Sequence, residues 1–571
     1  MAFLGSLLLW ASLPPLDWGS LAWVAPIPWV LLIRRGKLDG RRPYAVLWLA
    51  GFATWMGTLH FLRLPHWATS FGWVAVSVYF AFYLPVFVGL SRVAVHRLRV
   101  PVILAAPIVW TALELVRGHL LTGMSMACLG HTQYHWIELI QLSDLAGAYG
   151  VSFVVMFVAA SLARMFPIAC STANAPALQC RGAFRRMIAA LWPLLPAAAV
   201  LAAAVFYGRE RIGANSLRAG PRIALIQGSI DVEMQYDPGR RDRVLGEYYD
   251  LSYEAVERNR DIDLIVWPET MFLVPLVTFD ADAVRPPDFE GDDAEFHKQL
   301  QEIAKQDKES TSPMARTARL LGVPLLLGVS TDHFGPDGEK CLNSAAYVAA
   351  DGRLLGRYDK MHLVMFGEYV PFAQYCPWLQ RLTPLPISAT AGEQPVAFEL
   401  RVCPKTDGCA GVPPARAAGT AEPQDALGKV RIVPNICYES VLSHVIRGQV
   451  NALASEGQEP DILVNLTNDG WFWGSSELDL HLMCGVFRAV ECRKPFLIAA
   501  NTGFSAWIDS DGRVVKQGPR RAKQVLVVEP CLDQDRRSWY LEHGDWFAGA
   551  CLAGCVLLSL VGLYGRIRGD R

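Results

Sequence analysis

VRIVPNICYES, residues 430–440, is a β-type apolar run that stops at a thiol, Cys437, and is followed at once by Tyr438 and Glu439. A short continuous apolar run bounded by polar steps reads as a strand buried on both faces. The same texture recurs on either side of it. RIALIQG (222–228), DLIVWPE (263–269), VPLLLGV (323–329), SAAYVAA (344–350), DILVNLT (461–467), PFLIAAN (495–501) and QVLVVEP (524–530) are separated by charged stretches of helical character. Strands alternating with helices predict an α/β domain with a largely buried sheet over roughly 220–535. Residues 403–427, rich in Pro, Gly and Ala, read as a loop insertion, in which Cys403 and Cys409 either pair or stay free.

Upstream of this domain the texture is different. Apolar strings near 2–15, 18–33, 43–62, 72–91, 100–117, 147–167 and 187–207 approach the length needed to cross a bilayer, and an eighth lies near 546–564. Short cytoplasmic loops collect Lys and Arg. Arg34, Arg35, Lys37, Arg41 and Arg42 follow the second string, Arg92, Arg97 and Arg99 the fourth, and Arg181, Arg185 and Arg186 precede the seventh. These are alternate loops. With the N-terminus inside, seven crossings place the α/β domain outside, and the eighth returns a tail carrying Arg566, Arg568 and Arg571 to the inside.

Composition agrees with a membrane-bound chain. Of 571 residues, 52% are apolar and only 19% charged, which excludes an ordinary soluble protein. A net charge of −1 offers no field for nucleic acid. The 13 cysteines form no CxxC pairs, so neither a disulfide framework nor a zinc site is indicated.

Strand ends are where open α/β sheets carry their chemistry. Glu269 closes LIVWPE, Cys437 closes VRIVPNI, Asn468 and Asp469 follow ILVNLT, and Lys360 lies in RYDKMHLVMFGEYVPF. A strand-to-helix turn at Cys437 would bring the thiol to a positive helix end and lower its pKa. Taken singly, each residue also has an ordinary reading: a packed cysteine, a strand-end carboxylate, a solvated lysine. Asn468 and Asp469, with Trp471 and Phe472, suit a turn after a strand. His481 and Arg488 share one helix face, which suits packing or loop anchoring. Glu114 and Arg117, near the end of a span, suit an ion pair at one membrane face or contacts to lipid headgroups. Phe366, Trp378, Leu379, Trp471, Phe472 and Trp473 are candidate interface aromatics.

Read together and in order, WPE, YDKMHLVMFGEYVPF and ICYES resemble the Glu-Lys-Cys set of the nitrilase superfamily, the carbon–nitrogen hydrolases. Such a domain preceded by seven spans and followed by one resembles the superfamily's membrane branch, the apolipoprotein N-acyltransferases. HLVMFGEYVPF, NICYES, LVNLTNDGWFWGSS and WTALELVRGHLLTG (110–123) carry the resemblance most firmly. It implies a polytopic α-helical membrane domain (1–210), a nitrilase-like α-β-β-α sandwich outside the membrane (220–535) and a C-terminal transmembrane helix (546–564). It further implies Glu269 as general base, Lys360 at the oxyanion, Cys437 as nucleophile, Glu368 supporting the site, and Tyr438 and Glu439 beside the nucleophile, with the Tyr438 N–H facing the oxyanion. The expected reaction is ping-pong acyl transfer from a phospholipid donor to a diacylated apolipoprotein, without metal or organic cofactor. The expected protein is a monomer in the bacterial inner membrane with its catalytic domain on the periplasmic face. Two positions depart from the family pattern, Met365 where proline is common and Tyr236 where tryptophan is common. A membrane-anchored amidase of the same superfamily and a non-catalytic lipoprotein-binding protein are the competing functions.

Overall fold

The computed structural model describes residues 1–166, 192–213, 217–231, 239, 241–259, 261–287, 289–371, 375–376, 378, 389–402, 428–533 and 536–569, without the side chains of 307–308 and 563–569. Arg181, Arg185, Arg186, Tyr236, Leu379, Cys403 and Cys409 lie outside the described residues. The chain forms two units, one of Met1–Arg63, Ser70–Ala214 and Ser538–Arg571, the other of Leu64–Thr69 and Asn215–Arg537.

The first unit is helical. Among the described residues, Thr69–His96 and Val102–Thr122 are long and apolar enough to cross a bilayer, with mean hydropathy 1.9 and 1.3. A third candidate is the pair Ile137–Ala146 and Ala148–Ala163, bent by 119°. Ala2–Ala11, Gly19–Arg34 and Trp546–Gly562 are shorter apolar helices. The string expected over 2–15 therefore stops at Ala11, and that over 18–33 divides into a 3₁₀ turn, Gly19–Trp23, and a helix, Ile27–Arg34.

Basic residues tie several helix ends together. Arg92 donates to Leu32 O and Gly36 O, each at 3.0 Å, Arg34 reaches Ala163 O, and Arg97 reaches Gly562 O at 3.1 Å. The ends near 34, 96, 163 and 562 thus share one side of the unit. Glu114 and Arg117 are both buried. Glu114 accepts from Trp110 Nε1 (2.9 Å) and Leu129 N (2.8 Å), while Arg117 donates to Cys128 Sγ at 3.2 Å and lies over the Trp55 ring. They pin the segment before Gln133 to the helix Val102–His119 because a buried charge must find partners within the protein.

The second unit holds two six-stranded sheets. Its strands are β1 (Leu217–Ala219), β2 (Ile223–Gln227), β3 (Leu264–Phe279), β4 (Leu325–Gly335), β5 (Gly338–Val348), β6 (Leu354–Asp359), β7 (Phe398–Leu400), β8 (Val430–Ile436), β9 (Ile462–Thr467), β10 (Phe496–Ala500), β11 (Ala506–Ile508), β12 (Val514–Gln517), β13 (Gln524–Val528) and β14 (Cys531–Asp533). One sheet runs β13-β2-β3-β4-β5-β6 and the other β12-β11-β10-β9-β8-β7. In each, three central strands are parallel (β2, β3 and β4; β8, β9 and β10) and the edges antiparallel.

Alternation along the strands builds the layers. Ile223, Leu225, Leu264 and Val266 face inward to meet Ile432, Ile462, Val464 and Leu497 of the other sheet. Their neighbours Ala224, Ile226, Ile265 and Trp267 face outward, against Val244, Leu245 and Tyr248 of the helix Arg241–Arg258 and Met314, Ala318 and Leu321 of the helix Pro313–Leu321. The helices Ser443–Ser455 and Glu477–Cys492 pack together, the second also lying on β10 and β11. The result is the α-β-β-α sandwich that the resemblance implied.

Candidate active site

β3 does not end at Glu269. It continues to Phe279, and its register with β4 slips between Trp267 and Phe272, where Thr270 adopts a φ of +53°. A bulge of this kind re-aims a side chain out of the ladder. β4 accommodates it with Gly328, whose added Cβ would lie 2.1 Å from Pro268 O and 2.6 Å from the Glu269 Cα. The carboxylate is therefore placed by a deformation inside a strand rather than by a strand end.

Lys360 comes directly after β6, and its backbone N–H donates to Asn343 O of β5 at 2.8 Å. Its side chain is buried, with Nζ 3.3 Å from Glu269 Oε1 and 2.8 Å from Glu368 Oε1. Burial alone would pull the ammonium down, but the two carboxylates outweigh it and hold Lys360 well above the usual lysine range. Asn343 Nδ2 donates to the same two carboxylates, at 2.7 and 3.2 Å. The second oxygen of Glu269 accepts from Asn468 N (3.0 Å), and that of Glu368 from Val364 N (2.9 Å). Each carboxylate is fixed at both ends.

Cys437 comes directly after β8 with a φ of +51°, a left-handed conformation that costs a residue bearing a Cβ about 1–3 kcal/mol. Ser440 Oγ (3.0 Å) and Asn465 Nδ2 (3.1 Å) donate to its carbonyl oxygen, and His481 Nε2 lies 3.2 Å from the same atom. As a residue Cys437 is half-buried. Burial first, and then the Glu269 carboxylate, push it well above the usual thiol range, against an opposing pull from Lys360. This corrects the lowered pKa expected of a helix end. Cys437 opens a five-residue 3₁₀ turn, Cys437–Val441, and the α-helix begins only at Ser443. Burial and the Glu269 carboxylate thus both favour the protonated form of the thiol, the form for which a base is needed.

Glu439 locks the two loops together. Its buried carboxylate accepts from Ile436 N (2.7 Å) on the cysteine side and from Met361 N (2.8 Å) and His362 N (3.0 Å) on the lysine side. Tyr358 Oη donates to it at 2.8 Å and itself accepts from Gln449 Nε2 at 2.7 Å. A glutamine there accepts through one oxygen only and turns an amide toward donors. Glu439→Gln is expected to destabilise this unit by about 2–3 kcal/mol and to slow any reaction that needs both Lys360 and Cys437. Thermal unfolding of the purified protein, beside its acylation rate, checks both.

Glu269, Lys360, Glu368, Cys437 and Glu439 thus fall into one neighbourhood. Glu269, Lys360 and Glu368 touch. Asn468 caps the turn Asp469–Phe472 and binds Glu269 through its backbone. Of the aromatics, Phe366, Trp378 and Trp473 are exposed. Asn343 and Asn465 were not legible. The one signal for each is a polar side chain inside or beside an apolar run, in NSAAYV and LVNLT, which is too common to mark a site.

A family described as "Apolipoprotein N-acyltransferase N-terminal domain" matches residues 5–161, and one described as "Carbon-nitrogen hydrolase" matches residues 222–539. An apolipoprotein N-acyltransferase of Geobacter metallireducens is 31% identical over 98% of this chain and 94% of its own. One of Rhodopirellula baltica is 30% identical over 98% of this chain and 97% of its own. A solved amidase from Nesterenkonia sp. aligns with 57% of this chain and 97% of its own at 17% identity, with a TM-score of 0.33. On the full-length relatives and the two matched domains, in chain order, the chain belongs to the apolipoprotein N-acyltransferase family.

Proposed function

We propose that the chain transfers an acyl group from a phospholipid ester to the N-terminal amine of a diacylglyceryl-cysteine lipoprotein, by way of a thioester on Cys437. In the first half-reaction Glu269 takes the thiol proton and the sulfur attacks the ester carbonyl. The oxyanion meets the Lys360 ammonium and the Tyr438 N–H, and the lysophospholipid alcohol leaves with the proton from Glu269. In the second, the lipoprotein amine attacks the thioester, Glu269 accepts its proton, and the thiol is released as the amide forms. Glu368 and Asn343 hold Lys360 and Glu269 at one spacing through both steps, and Glu439 keeps the loops that carry lysine and cysteine in register.

The observation that carries this reading is the buried contact of Lys360 with Glu269, 3.3 Å apart, in a site where burial and Glu269 push the Cys437 thiol up. A protonated nucleophile needs a base, and a lysine kept charged by two carboxylates is suited to an oxyanion. Membership of the N-acyltransferase family supports the substrates. A multi-pass position in the bacterial inner membrane, with the second unit on the periplasmic face, is supported by the apolar helices and by Arg34, Arg92 and Arg97 gathered at one side of the helical unit. Anchored substrates would then meet the site by lateral search.

The test uses purified protein with phospholipid alone, then with a diacylated lipopeptide. Mass spectrometry should find one acyl adduct, on the peptide bearing Cys437, and the lipopeptide should discharge it to a triacylated product. An adduct on another cysteine, or release of free fatty acid with no lipopeptide product, overturns the proposal.

A further inference from the structure

His481 lies on the buried helix Glu477–Cys492, and its ring bridges two parts of the site that the reaction above leaves unexplained. Nδ1 is 3.3 Å from Asp469 Oδ1 and 4.0 Å from Glu477 Oε1. Nε2 is 3.2 Å from Cys437 O and 2.7 Å from Ser440 Oγ. Two turns along the same face, Arg488 Nη1 donates to Val441 O at 3.2 Å. The helix therefore holds the turn after β8 at two levels, and the upper level is the carbonyl of the nucleophile itself.

We propose that His481, held by Asp469, is a positioning residue for the nucleophile: it donates Nε2–H to the Cys437 carbonyl, keeps the left-handed turn closed, and presents a positive charge to the residue that carries the thiol. The proposal rests on Cys437 being the acylated residue. Its chemistry comes from the surroundings. For Nε2 to donate to a carbonyl while Nδ1 faces a carboxylate, both ring nitrogens must carry hydrogen, and that is an imidazolium. Burial alone would lower the ring, but Asp469 first, then Glu477 and the Cys437 carbonyl, raise it to about 9.

The groups that face the ring are few. Asp469 comes from the turn after β9, Glu477 from the same helix, and Cys437 and Ser440 from the turn after β8. β10 and β11 bring no charged residue, and Arg447, from the helix Ser443–Ser455, acts on Cys492 at the other end. Asp469 also raises the Cys437 thiol. A cation set between that carboxylate and the cysteine backbone offsets the effect and eases removal of the thiol proton.

The sign of the linkage is fixed. The folded value, about 9, lies above the ordinary 6.5, so the stability His481 contributes is complete below pH 6.5 and is lost as pH rises through about 9.

The experiment compares wild type with His481→Gln, which keeps a neutral donor near Nε2 and loses the charge. Two quantities are measured: acyl-enzyme formation from phospholipid, and the pH profile of Cys437 alkylation by iodoacetamide, located by peptide mass. A positioning role predicts acyl-enzyme formation slowed about 100-fold at unchanged KM. It also predicts the alkylation profile displaced to higher pH, so that alkylation at neutral pH is about tenfold slower. A folded variant with wild-type rate and profile overturns the proposal. Should the variant not fold, wild-type protein with ¹⁵N-labelled histidine decides: one slowly exchanging ring doubly protonated at neutral pH supports the assignment, and its absence overturns it. Alkylation needs no substrate, so its failure leaves the acylated-cysteine reading intact. An acyl adduct on another cysteine sinks that reading and leaves the alkylation result standing.

Discussion

Cys437→Ser should lower lipopeptide acylation by at least about 10⁴-fold while leaving the fold intact. Serine is close to cysteine in size, and the left-handed backbone at 437 is held through its carbonyl oxygen by Ser440, Asn465 and His481, none of which touches the side chain in doing so. The substitution therefore changes chemistry alone. Burial and Glu269 already push the thiol up, and a hydroxyl is far less acidic than a thiol, so Glu269 faces a proton it cannot remove at a useful rate. Any ester that did form at position 437 would also be a poorer acyl donor than a thioester, so the second half-reaction would stall too. Intact mass of the protein after exposure to phospholipid, and again after addition of diacylated lipopeptide, distinguishes no adduct from a trapped one. Product formation at an appreciable fraction of the wild-type rate would remove Cys437 from the mechanism.

Lys360→Met should cost both activity and stability, for separable reasons. Lys360 Nζ lies within 3.3 Å of Glu269 and 2.8 Å of Glu368, and all three side chains are largely out of water. Taking away the shared cation leaves two carboxylates facing one another, and breaking a buried pair from one side costs about 3–5 kcal/mol. Loss of an oxyanion partner lowers turnover by about 10²–10³-fold. The displaced Glu269 is expected to carry the total beyond about 10³-fold. The two losses part company in the double variant Lys360→Met with Glu368→Gln. Removing one of the facing charges should recover much of the thermal stability and none of the acyl-enzyme. If the double variant recovers activity as well, Lys360 acts only as a counter-ion and its assignment to the oxyanion fails.

Some of this arrangement was legible along the chain because it is local. Eight apolar runs became β2, β3, β4, β5, β8, β9, β10 and β13, since a strand covered on both faces needs a continuous apolar stretch and little else produces one so short. Lys360 and Cys437 come directly after strands, so their placement could be anticipated. Glu269 could be anticipated in type but not in setting: whether β3 stops or bulges depends on Gly328 in another strand yielding room for the Glu269 backbone. The helix ends near residues 11, 27 and 82 escaped a count of apolar residues, because a break inside an apolar string changes backbone geometry without changing hydropathy.

By itself, then, the sequence determined the layers, the order of the reactive residues and the family. The strands depend on residue type and period within one segment, and the family on several segments read together in chain order. Tertiary structure alone decided the state of the site. It joined Glu269, Lys360 and Glu368 through Asn343 of β5, bound the lysine loop to the cysteine turn through Glu439, and reversed the expected shift of the thiol. Charge and acidity at a buried group are set by neighbours within a few ångströms, and here those neighbours come from separate elements of the chain.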